Sequence, residues 1–196
     1  MAKKILVLDG HPSAFSYTAC LADEYVINAE KGGFEVKALN VRDLDFDPNL
    51  RWGYTRKQAL EPDLERAQEL LLWCNHLAIF TPVWWFSLPA ILKGFMDRVL
   101  LPDFAFKVKR SGGKRSLIKL LKGRTASAFY TFGGPKIDLK EAFADPIKTQ
   151  LKNGILNFVG FSNIKMHPLY KTLGIENVRA REEFVKKIIK IAKRGG

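Results

Sequence analysis

The chain has 196 residues, 47% hydrophobic and 27% charged, a soluble globular composition with enough length for one substantial core. No stretch reaches the roughly 20 uninterrupted apolar residues of a membrane helix, and Ile5 to Leu8 is too short for a signal peptide, so one cytoplasmic domain spanning 1–196 is expected. The net charge of +12 suits nucleotide phosphates, nucleic acid or an acidic membrane surface, or marks only a solvated lysine-rich exterior; without a zinc finger, helix-turn-helix or RNA-binding signature, nucleic acid is not expected.

Lys4 to Leu8 is an apolar run without alternation, as expected of a strand buried on both faces of a parallel sheet. Gly10, Pro12 and two serines mark a loop from Asp9 to Ser16. Helical spacing of Leu21, Tyr25, Val26 and Ala29 predicts a helix from Tyr17 to Lys31, closed by Gly32 and Gly33. Phe34 to Leu39 alternates as a second strand, and Asn40 to Asp63 reads as irregular. Leu64 to Cys74 predicts a helix capped by Asp63, His76 to Phe80 a third strand, and Pro89 to Leu101 another helix. Val108 to Lys122 reads as a long basic loop containing Ser111, Gly112 and Gly113. Thr125 to Tyr130 is a fourth strand, Asp145 to Phe158 a helix, Ser162 to His167 a fifth strand, and Ile175 to Arg194 a long basic helix. Cys20 and Cys74 fall in predicted helices without metal-ligand spacing and read as buried small hydrophobes. Strands alternating with helices predict an α/β fold, a five-stranded doubly wound parallel sheet with helices on both faces.

In such sheets ligands sit at the carboxyl ends of the strands. The loops after strands one, three and four should therefore converge. The first, containing His11, Ser16, Tyr17 and Thr18, opens a helix, so its amides and hydroxyls suit an anion. It is neither a P-loop nor GxGxxG, and Ser16 also fits a simple helix cap. The second runs from Pro82 and Val83 through Trp84, Trp85 and Phe86. Adjacent side chains in extended backbone alternate in direction, so these aromatics cannot all enter one core, and at least one should line a pocket or interface. The third, Thr131, Phe132, Gly133 and Gly134, offers backbone that can approach a ligand closely. Together they point to a flat, conjugated ligand.

Gly10-His11-Pro12, Ser16-Tyr17-Thr18, the run from Thr81 to Gly94, Asp97-Arg98-Val99, Phe104-Ala105-Phe106, Thr131 to Gly134 and Gly154 to Phe161 resemble, in order, the NAD(P)H:quinone oxidoreductase family of flavodoxin-like flavoproteins. The resemblance runs from Lys3 to about Phe161. It implies that His11, Ser16, Tyr17 and Thr18 hold the phosphate and ribityl region of a flavin. Pro82 to Phe86 would run along the ring, and Thr131 to Gly134 would border its other side. Trp85 and Phe86 would wall the substrate pocket, and Phe104 and Phe106 would reach in from the partner of a homodimer with a shared active site. The implied reaction passes hydride from NAD(P)H to the flavin and then two electrons to a quinone or a nitro or azo aromatic, with ping-pong kinetics. A flavin-binding ancillary subunit of a potassium-efflux system and a one-electron flavodoxin carrier are the alternatives, the second disfavoured by the +12 charge. Membrane association is not expected.

The chain departs from mammalian members, which carry a Tyr and a His after the glycine turn. The stretch from Pro135 to Phe143 has neither, leaving Lys136 or backbone amides to stabilise the reduced ring. Asn49 to Leu60 is shorter than the mammalian counterpart, which favours FMN over FAD. Arg181 remains either a contact for an adenylate phosphate or a solvated helix cation.

Overall fold

The computed structural model describes residues 2–134 and 146–196. Five parallel strands form the sheet: β1 (Lys4–Asp9), β2 (Glu35–Asn40), β3 (His76–Pro82), β6 (Thr125–Thr131) and β7 (Ser162–Leu169), in the order β2-β1-β3-β6-β7. The order reverses between β1 and β3, which opens a crevice at their carboxyl ends.

The helices are α1 (Tyr17–Lys31), α2 (Pro62–Trp73), α3 (Ala90–Val99), α4 (Lys148–Asn157) and α5 (Val178–Ala192). Alternate residues of each central strand point to opposite faces, and each face carries its own core. Ile5, Val7, Ala78, Phe80 and Phe129 pack against Tyr25, Ala29, Phe184 and Ile188 of α1 and α5. Leu6, Leu8, Leu77, Ile79 and Ala128 face α2, α3 and α4 through Leu71, Phe95, Leu151 and Leu156. This is the doubly wound α/β architecture that the strand–helix alternation predicts.

Four local expectations change. The basic stretch after Ala105 is a hairpin, β4 (Phe106–Ser111) with β5 (Lys114–Lys119), antiparallel from Phe106 opposite Lys119 to Ser111 opposite Lys114. Gly112 and Gly113 have φ of 56° and 76°, the two left-handed positions that a two-residue hairpin turn demands. Helix α2 begins at Pro62 with Glu61 before it, and the Asp63 carboxylate accepts from the Asp45 amide (2.8 Å) instead of capping. Cys20 is exposed on α1, whereas Cys74 is buried as expected. Lys148–Asn157 winds as a π-helix, ten residues where such turns are usually single.

Two anchors fix α3 beneath the crevice. Arg98 is buried and donates to the Asp47 and Ala59 carbonyls and to the Glu61 carboxylate (2.7 Å), tying the irregular segment after β2 to the helix. Gly94 touches the same segment: a Cβ there would lie 2.5 Å from Pro48 Cβ and 2.6 Å from its carbonyl oxygen.

Candidate functional site

The loops after β1, β3 and β6 converge because the sheet's hydrogen bonding continues past the strand ends. The Gly10 amide donates to Phe80 O (2.8 Å), Val83 to Thr131 O (2.9 Å) and Phe132 to Leu169 O (2.8 Å). Between them lies a cavity of about 490 Å³. Its lining includes His11, Ser16, Tyr17, Thr18, Pro82, Val83, Trp84, Trp85, Thr131 and Gly133.

One end of this cavity is a helix start. Ser16 is the N-cap of α1, its hydroxyl accepting the Ala19 amide (3.0 Å). The amides of Tyr17 and Thr18, in the first turn, have no acceptor within the helix, and the dipole favours negative charge beside them. Thr18 and Thr131 share a buried hydroxyl–hydroxyl hydrogen bond of 3.1 Å, joining α1 to the end of β6. The Tyr17 hydroxyl donates to Arg181 O (3.0 Å), and burial pushes its phenol up to about 12, so it stays a neutral donor.

His11 is held from three sides. Its amide donates to Asp9 Oδ1 (3.0 Å), its Nδ1 accepts from the Ser13 amide (2.9 Å), and its ring stands edge-on to Trp84 at 5.6 Å. Burial lowers its pKa and the nearby Arg42 adds to this, while Ser13 and Asp9 oppose them; with its ordinary value already near 6.5, the ring is neutral at pH 7. Asp9 is itself buried and paired with Arg42.

The opposite wall is an aromatic turn. Trp84 and Ser87 exchange backbone hydrogen bonds of 3.1 and 2.9 Å, with Trp85 and Phe86 at φ of 52° and 56° between them. Left-handed backbone at two bulky residues is strained, and such strain collects at functional sites. The turn leaves Trp84 45% exposed and Trp85 98% exposed.

Phe86, Phe132 and Gly134 lie beside the cavity, outside its lining. Phe132 turns away to stack on Tyr170 at 4.7 Å, and the Gly134 carbonyl accepts from Lys171 N (2.8 Å). Phe104 packs against the core, and Phe106 lines a second cavity of about 730 Å³, edge-on to Phe158 at 5.1 Å. Lys136 falls outside the described residues. Thr172 and Leu173 also line the first cavity, and local sequence gives no sign of them. They follow β7, and only the strand order, which sets β7 beside β6, points to that loop. Arg181 secures it, donating to Thr172 O (2.9 Å) and Gly174 O (2.8 Å).

Comparison with known proteins agrees with this fold. The model of a family described as "flavodoxin-like fold" matches residues 3–192. The mouse protein ribosyldihydronicotinamide dehydrogenase [quinone] is 31% identical, the match covering 81% of this chain and 78% of that one. The crystal structure of Smu.1420 from Streptococcus mutans UA159 is 29% identical with a TM-score of 0.77, over 97% of this chain and 99% of that one. An FMN-dependent NADH-azoreductase from Bacillus anthracis, solved in complex with FMN, shares the fold at 18% identity and a TM-score of 0.71, over 98% of each chain. The chain belongs to the flavodoxin-like fold family, among its NAD(P)H:quinone oxidoreductase-type members.

Proposed function

We propose that this protein is a flavin-dependent NAD(P)H oxidoreductase that reduces a quinone or another flat electrophile, such as a nitro or azo aromatic. One observation carries the reading: an anion-suited helix start and an exposed aromatic turn face each other across one cavity at the carboxyl ends of the strands. Its size of about 490 Å³ suits one nucleotide-sized ligand.

The residues present fit a flavin. The Tyr17 and Thr18 amides and the Ser16 hydroxyl would receive its phosphate. Pro82, Val83 and Trp84 would edge the ring, opposite Thr131 and Gly133. A Cβ at Gly133 would fall 2.9 Å from Leu173 Cδ1, so glycine there lets the loop after β7 pack close against the loop after β6. A bound flavin would supply hydride and two-electron chemistry; the protein supplies position and electrostatics. Neutral His11 donates a hydrogen bond without adding charge. Trp85 shields the open side from water and offers a face for stacking, so one slot serves nicotinamide and acceptor in turn. The engagement of Arg181 with Thr172 and Gly174 supports FMN over FAD, because that guanidinium is committed to the loop.

A homodimer completes the proposal, with a second copy covering the groove of about 730 Å³ lined by Tyr54, Phe106, Val108 and Phe158. Steady-state kinetics with NAD(P)H and a soluble quinone test the function. Parallel double-reciprocal lines are expected, and intersecting lines contradict a shared slot.

A further inference from the structure

We propose that the β4–β5 hairpin is a docking element for the surface of an anionic lipid bilayer. Pairing register sorts its side chains onto two faces. Phe106 and Val108, with Leu117 opposite, form the face toward the groove. Lys107, Lys109 and Lys114, with Ile118 and two serines, form the other face; Arg110 and Arg115, opposite each other near the tip, lie on the groove-side face, so the tip presents cations from both faces. Between Phe104 and Ile137 the sequence has no acidic residue.

Among the described residues these cations have at most one weak carboxylate partner. Lys107 lies 3.6 Å from Asp103, a weak exposed pair. Among the described residues no carboxylate pairs with Lys109, Arg110, Lys114 or Arg115. Arg110 and Arg115 stand directly across the ladder from each other, an unfavourable like-charge pair that an external anion relieves. The hairpin is exposed along nearly its whole length.

A bilayer fits this element better than a nucleic acid. Ile118, 40% exposed, sits on the lysine face. An aliphatic side chain gains from the acyl boundary and nothing from a row of phosphates, and lysine stems lie along that boundary with their heads in water. From Phe106 to Lys119 the one aromatic side chain is Phe106, so the hairpin offers no row of platforms on which successive bases could stack. The docking is independent of the redox reading.

Vesicle sedimentation of the full-length protein tests it. Each cation near an anionic surface strengthens binding about fivefold, so four together contribute roughly several hundredfold. Wild-type protein should bind phosphatidylcholine vesicles containing phosphatidylglycerol, fail to bind phosphatidylcholine alone, and dissociate in high salt. The variant K109Q/R110Q/K114Q/R115Q should fall to the phosphatidylcholine level with its melting temperature unchanged. The variant K186Q/K190Q/K193Q, which removes three cations in the second half of α5 and just beyond it, should bind as wild type. If the hairpin variant binds normally, or the α5 variant loses as much, the charge acts diffusely and the proposal fails. Should the hairpin variant misfold, Lys109→Gln alone should still show the fivefold loss, and no loss overturns the proposal. Tighter binding to an oligonucleotide than to anionic vesicles at equal salt also overturns it.

Discussion

The hydroxyls of Thr18 and Thr131 meet at 3.1 Å in a buried contact beneath the cavity. Thr18 opens α1 and Thr131 ends β6, so one hydrogen bond joins the helix start to the far wall. Removing either hydroxyl strands the other in an apolar setting. Thr18→Val or Thr131→Val should each cost about 1 kcal/mol of stability. The double variant should cost less than the sum, since both partners then leave together. Urea unfolding of the four proteins checks this, and additive losses would show that the pair contributes nothing.

Trp85 presents an almost fully exposed indole from left-handed backbone, so it contributes little to the core, and the proposed function turns it toward the substrate. Trp85→Ala should lower kcat/KM roughly tenfold while flavin content stays within about twofold. Trp85→Gly should lower turnover as much yet leave stability equal or higher by up to about 1 kcal/mol, because glycine relieves the strain. Loss of flavin with unchanged activity per bound flavin would reverse the roles assigned here.

Gly94→Ala drives a methyl group into Pro48, including its backbone oxygen. Either α3 or the segment after β2 must move, at a cost of about 1–3 kcal/mol. The melting temperature should fall by several degrees. An unchanged value would show that the segment yields freely.

Burial holds His76 down to about 3, with Lys3 and Lys165 adding to the shift, and holds His167 down to about 4, with Lys187 and Lys165 adding. Both folded values lie below the ordinary 6.5, so between about pH 4 and 6.5 the unfolded chain binds protons that the native chain refuses. The stabilisation is therefore complete above pH 6.5 and is lost as pH falls toward 4. The urea midpoint should drop between pH 7 and 4.5. His167→Phe, which keeps the stack on Phe129, should flatten that dependence. An equal slope in the variant would remove His167 from the explanation.

The five parallel strands are legible because each is a short apolar or alternating run between turn formers. The site is legible where chemistry is local: a serine-capped helix start and three aromatics that one core cannot absorb. The hairpin is harder, since its strands are mostly cationic and only the Gly112-Gly113 pair betrays a turn. Arg98 resembles a surface cation until acceptors from Asp47, Ala59 and Glu61, distant in sequence, surround it. Thr172 and Leu173 carry no motif, and their place depends on how β7 pairs. Phe132 sits within a legible motif yet turns toward Tyr170, a choice made by packing between strands.

The most direct test is the absorption spectrum of the purified protein after incubation with flavin and removal of excess, followed by mass analysis of what denaturation releases. The proposed function predicts an oxidised-flavin spectrum, one flavin per chain, and the mass of FMN. A colourless protein after supplementation with both FMN and FAD would contradict the flavin site formed by His11, Ser16 to Thr18, Pro82 to Trp85, Thr131 and Gly133.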